Sequence, residues 1–383
     1  MFIIAAALLA LTITPPAKET PPFTVADDLY DQKQAETLGL GTVPGAETAT
    51  IFRATPEAGY NHAAVLFPFK GKLYAMWQSS TQDEDAEDTR VLYASSADRL
   101  EWSAPLVLSV PQERGIMTSG GWWQAGDELV AYLLVWPDDP STPRGGYTVY
   151  RTSVDGEAWS DPAPVLTAGG EPLNGIIEQD LRALPSGRLL TAVHEQPGLL
   201  LSPYYTDDPT GLGGWTRGEM ENLPHKEDMT REIEPSWFLR ADGSIVMVFR
   251  DQDSSFQKLA AVSHDDGAHW TTPELTNMLD SRSKQSTGNL PDGTAFQVSN
   301  PTGSKKRWPL VITLSDDGFW FDRAFLVRGG DDMPPLRHEG KYKRQGYSYP
   351  KSVIWNDHLY IAYGTNKEDI EVTRLPLTAL TLP

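Results

Sequence analysis

The chain has 383 residues, no cysteine, and 52 acidic against 32 basic side chains, for a formal net charge of −20. The missing cysteine excludes disulfides, thiolate metal sites and a cysteine nucleophile. The acidic excess argues against nucleic acid or an anionic membrane as partner, while leaving room for an acidic ligand at a local basic cluster.

Residues 1–20 read as a signal peptide. The apolar run in MFIIAAALLALTIT is too short to span a bilayer and suits an export signal. A secreted or periplasmic protein without stable membrane insertion is the expectation. Residues 21–47 read as a Pro-rich, polar lead-in, and residues 48–383 as the folded domain.

That domain repeats. An apolar strand, a polar turn and a second apolar strand recur six times, from AVLFPFKGKLYAMW through EPSWFLRADGSIVMVFRD to YPKSVIWNDHLYIAYG. Val, Ile, Leu, Tyr and Trp fill the strands, with Gly, Asp or Asn at the turn, which is hairpin chemistry. A third strand such as RVLYASS and a fourth such as APLVLSV follow. Four strands per unit of about 50 residues describe a propeller blade. The expected fold is an all-β, six-bladed β-propeller, seven blades being the alternative count. The last unit lacks a fourth strand, and TATIFRAT (residues 48–55) is placed to supply it and close the ring.

In phase with the hairpins run SSADRLEW, TSVDGEAW, SHDDGAHW and LSDDGFWF, with a weaker DDPTGLGGW. Their reading is structural. The Asp bonds backbone amides in the turn between third and fourth strands, and the Trp packs between blades.

Counting from the turn residues Gly71, Asp127, Gly187, Gly243, Gly293 and Asp357 locates the rim of the central funnel. Nine residues earlier lie His62, Thr118, Glu178, Glu234, Lys284 and Ser348. Seven residues later lie Gln78, Leu134, His194, Arg250, Asn300 and Gly364. The first set begins each innermost strand and the second ends its antiparallel neighbour, so both reach the same rim. Asn61, beside His62, joins the candidates.

SHDDGAHW resembles the Asp box S-x-D-x-G-x-T-W of the sialidase superfamily, departing only at His269. The resemblance covers nearly the whole chain from about residue 50. It implies that Glu234 polarises a nucleophile, that Arg250 and Arg307 hold a substrate carboxylate, and that Tyr347 in QGYSYP is the nucleophile. It also implies an acid aspartate in TQDEDAEDTR, at Asp85. The family's first arginine, in an F-R-I-P motif, has no counterpart: Asn61 and His62 stand at that distance from the turn, and Arg53 lies too early. A blade-one histidine resembles instead propeller enzymes acting on uronic-acid glycans, ulvan lyases among them.

Three functions follow as expectations. The first is a secreted, exo-α-sialidase-like glycoside hydrolase cleaving at an acidic sugar, sialic or uronic, with Tyr347, Glu234 and Asp85 catalytic. The second is a uronic-acid polysaccharide lyase, with His62 and Tyr347 moving protons, His194 a further candidate base, and Arg250, Lys284 or Asn300 neutralising the carboxylate. The third is a non-catalytic glycan-binding propeller. Arg250, Arg307, Asn61, Lys284, Glu178, His194, Asn300 and Gln78 are the candidate binding residues. The partner expected is an acidic oligo- or polysaccharide, bound by a monomer. No metal or cofactor is expected: the seven histidines lack metal-ligand spacing. TQDEDAEDTR reads as a solvated acidic loop, with calcium its alternative occupant. RHEGKYKRQGYSYP reads as a solvated loop or as an anion-binding lid.

Overall fold

Near-continuous apolar runs make strands buried on both faces, such as Lys72–Ser80 and Glu128–Trp136, and the Gly, Asp and Asn turns fold each pair into a hairpin. The structure, a computed structural model, describes residues 21–98, 100–138, 145–226 and 228–381. The segment read as a signal peptide, residues 1–20, lies outside them. Six antiparallel blades form, not seven. Blade one is Tyr60–Phe69, Lys72–Ser80, Arg90–Ser96 and Leu106–Val107. Blades two to five follow with innermost strands beginning at Ile116, Gly175, Glu232 and Ser286. Blade six takes Tyr347–Trp355, His358–Thr365 and Asp369–Pro376 from the end of the chain. Its outer strand is Glu47–Phe52, antiparallel to Asp369–Pro376 with Thr48 opposite Thr373. The ring thus closes as the sequence requires. Among the described residues no helix is long and apolar enough to cross a membrane.

The core lies between blade faces. Val65 and Met76 of blade one pack with Met117, Trp122 and Leu133 of blade two. Val298 and Ile312 of blade five pack with Tyr347, Ile361 and Tyr363 of blade six. The repeated Asp turns hold the outer edges. Asp155 accepts from the backbone amides of Glu157 and Ala158 at 2.8 and 2.9 Å, and Asp317 from those of Phe319 and Trp320 at 2.8 and 3.0 Å. Those donors hold the Asp155 carboxyl down at about 2. Trp159 then sits between blades, 6.0 Å from the Trp122 ring and donating to the Tyr93 hydroxyl at 3.2 Å. Gly156 has φ 76°, and a Cβ there would meet the Tyr74 hydroxyl at 2.2 Å, so both backbone conformation and packing demand glycine.

The lead-in does more than its polar composition suggests. Thr24–Val25 pairs in parallel with Trp320–Phe321. Phe23 is buried at edge-to-face distances of 5.3 Å from Phe321 and 6.0 Å from Phe238. The Val25 amide donates to Asn277 at 2.8 Å. The segment therefore straps blade four to blade five. Replacing Phe23→Ala is expected to cost about 3 kcal/mol, the usual range for emptying a buried Phe site. An unchanged denaturant midpoint would show that the strap contributes nothing to stability.

Candidate active site

The innermost strands of blades one, four and six share one irregularity. Their ladders slip between His62 and Val65, Ile233 and Ser236, and Ser348 and Lys351. At each slip a residue takes left-handed backbone: Ala63, Glu234 and Tyr349, all with φ 55°. Such bulges re-aim side chains at the cost of strain. Here they direct Glu234 and Tyr349 into the funnel, where a cavity of about 530 Å³ opens.

One wall of the cavity is a tyrosine–glutamate–arginine cluster. The Tyr349 hydroxyl donates to Glu234 Oε1. Arg250 Nη1 donates to both Glu234 oxygens at 3.2 and 3.1 Å and to the Tyr349 oxygen at 3.3 Å. Burial alone would favour protonated Glu234. Arg250, Lys284 and the Tyr349 hydroxyl outweigh it and hold the carboxyl below its usual range. Burial beside that carboxylate pushes the Tyr349 phenol up, so the hydroxyl keeps its proton until a base removes it.

The floor is a second cluster. Lys284 donates to Glu178 Oε2 at 2.7 Å and to Gln179 Oε1 at 3.2 Å, and His194 Nδ1 lies 3.0 Å from Glu178 Oε1. Burial works against the Glu178 carboxylate, but Lys284 and His194 prevail and hold it low. His194 Nε2 is buried without a partner. His62 is buried with neither ring nitrogen bonded, its ring 4.2 Å from that of Tyr349. Desolvation first, then Lys367, Arg307 and Lys284, hold His62 well below its usual value, so it is neutral at pH 7. Asp85 stands at the mouth with more than a third of its surface open. Partial desolvation and the neighbouring Glu84 raise its carboxyl, against the pull of Lys367.

The cavity therefore gathers His62, Gln78, Asp85, Glu178, His194, Glu234 and Lys284 of the expected residues. Arg250 and Arg307 flank it through Tyr349, Arg307 with its guanidinium 5.3 Å from that ring. Three expected residues are placed elsewhere. Tyr347 points between blades five and six, donates to Asp332 at 2.7 Å and lies under Arg328. Its place against Glu234 is taken by Tyr349, because the bulge turns position 349 to the funnel. Asn61 is consumed structurally, donating to the Ala58 and Glu368 carbonyls at 2.8 Å and accepting from Trp77 at 3.1 Å. Asn300 donates to the Arg307 and Pro309 carbonyls at 3.0 and 2.9 Å. Sequence reasoning missed Tyr349, Gln179, Glu84, Lys367 and Arg344. The second tyrosine of GYSYP was visible, one residue past the blade-six counterpart of Glu234. Among the described residues no three His, Asp or Glu side chains converge to hold a metal ion.

The site and fold define a class: six-bladed Asp-turn propellers with a tyrosine, a glutamate and an arginine joined in the funnel. Residues 71–361 match the model of the BNR repeat-like domain. The chain belongs to that family, within the sialidase-type β-propeller superfamily. No curated protein sequence matches it. Among solved structures it is similar to a sialidase, with TM-score 0.67, 19% identity, and 93% of this chain on 35% of that one. The present chain thus spans about a third of that protein's length. It is similar to a protein of unknown function from Dyadobacter fermentans, with TM-score 0.67, 16% identity, and 87% of this chain on 100% of that one. A third is the intramolecular trans-sialidase from Ruminococcus gnavus in complex with oseltamivir carboxylate, with TM-score 0.65, 13% identity, and 88% of this chain on 98% of that one. At these identities the likeness carries the fold and not the reaction.

The low value of His62 has a consequence for stability. Unfolded, His62 takes a proton near pH 6.5; folded, it does not until lower pH. The unfolded state binds more protons below 6.5, so this contribution is complete above 6.5 and lost as pH falls from there toward the folded value. The expected slope is up to about 1.4 kcal/mol per pH unit. His62→Gln, which cannot charge, is expected to unfold with a flatter pH dependence between pH 6.5 and 5. Parallel curves would mean that His62 titrates normally in the folded protein.

Proposed function

We propose that the protein is a glycosidase that cleaves beside an acidic sugar, with Tyr349 as nucleophile. The observation that carries this reading is the Tyr349–Glu234–Arg250 cluster in the funnel wall. A neutral phenol is a weak nucleophile, so attack requires a base in contact, and Glu234, ionised, accepts the phenol's hydrogen bond. Tyrosine also suits an anionic substrate, since a carboxylate nucleophile would repel it.

In the first step the Tyr349 oxygen bonds to the anomeric carbon and its proton passes to Glu234. The glycosidic bond breaks and Asp85 gives its proton to the leaving oxygen. In the second step the Asp85 carboxylate takes a proton from water, whose oxygen replaces Tyr349 at the anomeric carbon. Glu234 returns the proton to Tyr349. Arg250 and Arg307 hold the sugar carboxylate, and Lys284, Glu178, His194, Gln78 and His62 meet its hydroxyls. The substrate is an acidic oligo- or polysaccharide, and the apolar start of the chain supports export to meet it.

Tyr349→Phe is expected to lower kcat by about a thousandfold or more, as loss of a nucleophile does. Tyr347→Phe should retain most activity and lose about 1 kcal/mol of stability with its bond to Asp332. The reverse order in steady-state assays on aryl sialosides and aryl uronides would return the nucleophile to Tyr347.

The reaction needs Glu234 ionised and Asp85 protonated. Activity should fall as pH drops through the lowered Glu234 value and as it rises through the raised Asp85 value, giving an acidic optimum. Asp85→Asn should abolish the alkaline limb while sparing aryl glycosides with good leaving groups. An alkaline limb that persists in that variant excludes Asp85 as the acid.

One observation favours a second reading. His62 is neutral, buried, unbonded and against Tyr349, as a base for β-elimination at a uronic acid would be. Elimination leaves a conjugated double bond, so ultraviolet absorbance rising with each bond cleaved in a uronate polymer would select it over hydrolysis.

A further inference from the structure

Around Tyr349 and Arg250, four guanidiniums gather in a protein of net charge −20. Arg250 and Arg282 both donate to the Gln252 side-chain oxygen, at 2.9 and 2.8 Å. Arg307 donates to the Arg282 carbonyl at 3.0 Å and to Ser348 Oγ at 3.2 Å. Arg344 lies on the loop just before blade six, beside Arg307, because Gly346 bridges to Arg307. A Cβ at Gly346, where φ is 141°, would sit 2.6 Å from the Arg307 carbonyl, so only glycine permits this approach.

The carboxylates of the neighbourhood are already engaged. Glu234 is held by Arg250, Asp280 by Lys258 at 2.7 Å, Asp251 by Arg231 at 2.7 Å, and Glu84 by Lys367 at 2.5 Å. Arg282, Arg307 and Arg344 have no carboxylate partner among the described residues. Arg307 is 4% exposed, and its Nε and that of Arg282 are buried with no acceptor. Desolvation, and after it repulsion from Arg307 and Arg250, weakens the hold of Arg344 on its proton, and desolvation followed by Arg250 does the same to Arg282. Crowding like charges, Arg307 buried and Arg282 and Arg344 half-buried, without counterions is costly, and one ligand carboxylate at Arg250 and Arg307 would leave Arg344 and Arg282 uncompensated.

We infer that the ligand of this funnel carries a second anionic group, a sulfate ester on the acidic sugar or the carboxylate of a neighbouring acidic residue, bound at Arg344 beside the first carboxylate. The inference rests on the proposed acidic-sugar reading and narrows it to a dianionic substrate. A planar guanidinium suits either oxyanion through paired hydrogen bonds.

The test is calorimetric binding to the full-length protein, wild type and Tyr349→Phe, of four probes: N-acetylneuraminate, glucuronate, glucuronate 2-sulfate and digalacturonate. At least one dianion is expected to bind about tenfold more tightly than the monoanions, the scale of one added charged hydrogen-bond pair. Preference for the sulfated sugar alone places the second charge on a substituent; preference for digalacturonate alone places it on the neighbouring residue. Arg344→Ala should shrink the preference to about twofold, Arg344→Lys should keep part of it, and Arg188→Ala, whose pair with Asp207 lies at the turn end of blade three, opposite the end that carries His194, should keep it all. Equal affinities for all four probes, no binding of any, or a preference that survives Arg344→Ala would overturn the inference. A dianion preference without turnover of any glycoside would instead refute the glycosidase reading and leave the second anion site standing.

Discussion

Glu47–Phe52 hydrogen-bonds to Asp369–Pro376, and through that pairing the first ordered strand of the ring completes its last blade. Without it blade six would end on an unpaired edge, and the backbone tie between blades six and one would shrink to contacts such as the Asn61 amide on the Lys367 carbonyl at 2.9 Å. The consequence reaches the funnel. His62 enters from the beginning of the chain and Tyr349 from near its end, yet their rings lie 4.2 Å apart. The same closure sets Lys367, in the last hairpin of blade six, against Glu84 of the blade-one loop that carries Asp85. Lys343 reaches across to the Gly59 carbonyl at 2.6 Å. The site is therefore a property of the closed ring and belongs to no single blade.

Closure also concentrates charge. Each blade contributes between one and four polar side chains to a volume lined elsewhere by Ile116, Leu134, Ile176 and Met229. In such a setting a charge survives by pairing, and the pairs join different blades. Lys284 of blade five holds Glu178 of blade three; Tyr349 of blade six touches Glu234 of blade four. These ties across the axis fix side chains that the strands alone leave free to change rotamer. They also order the titrations, with Glu234 and Glu178 pulled down and Asp85, at the wetter mouth, pushed up. A base and an acid in one funnel need that separation.

The fold was legible because its signals are local and repeated. Hairpin turns, strand composition and the period of the Asp turns state six blades, and the shortfall at the chain's end states how the ring closes. The rim was legible by counting from the turns, which is why Glu178, Glu234, Lys284, His194 and Arg250 stand where the spacing puts them. Counting fails where a strand slips. Alternation places residues 347 and 349 on one face, and the blade-six bulge separates them, leaving Tyr347 in the inter-blade core and Tyr349 in the funnel. Nor does spacing tell a funnel-facing polar residue from a structural one. Asn61 and Asn300 sit at rim positions and spend their amides on carbonyls of passing loops. The strap role of Phe23 and the approach of Arg344 depend on contacts between distant segments, which no local pattern records.

The two histidines of the funnel differ in a way that bears on chemistry. His194 has its Nδ1 against a carboxylate, which fixes the ring and leaves Nε2 buried without a partner. His62 has no such partner; aromatic contact with Tyr349 and Tyr60 holds its ring, and three cationic side chains stand near it. A base that carries a proton through a reaction gains from a carboxylate that stabilises its charged form. Lys367, Arg307 and Lys284 would all repel a charged His62. Tyr349 has what His62 lacks, an ionised carboxylate in direct contact to receive its proton. That contrast supports the proposed nucleophilic role of Tyr349 over a role for His62 as base. In the proposed reading His62 is a neutral wall residue, and the positive field beside it is left to the substrate's anion.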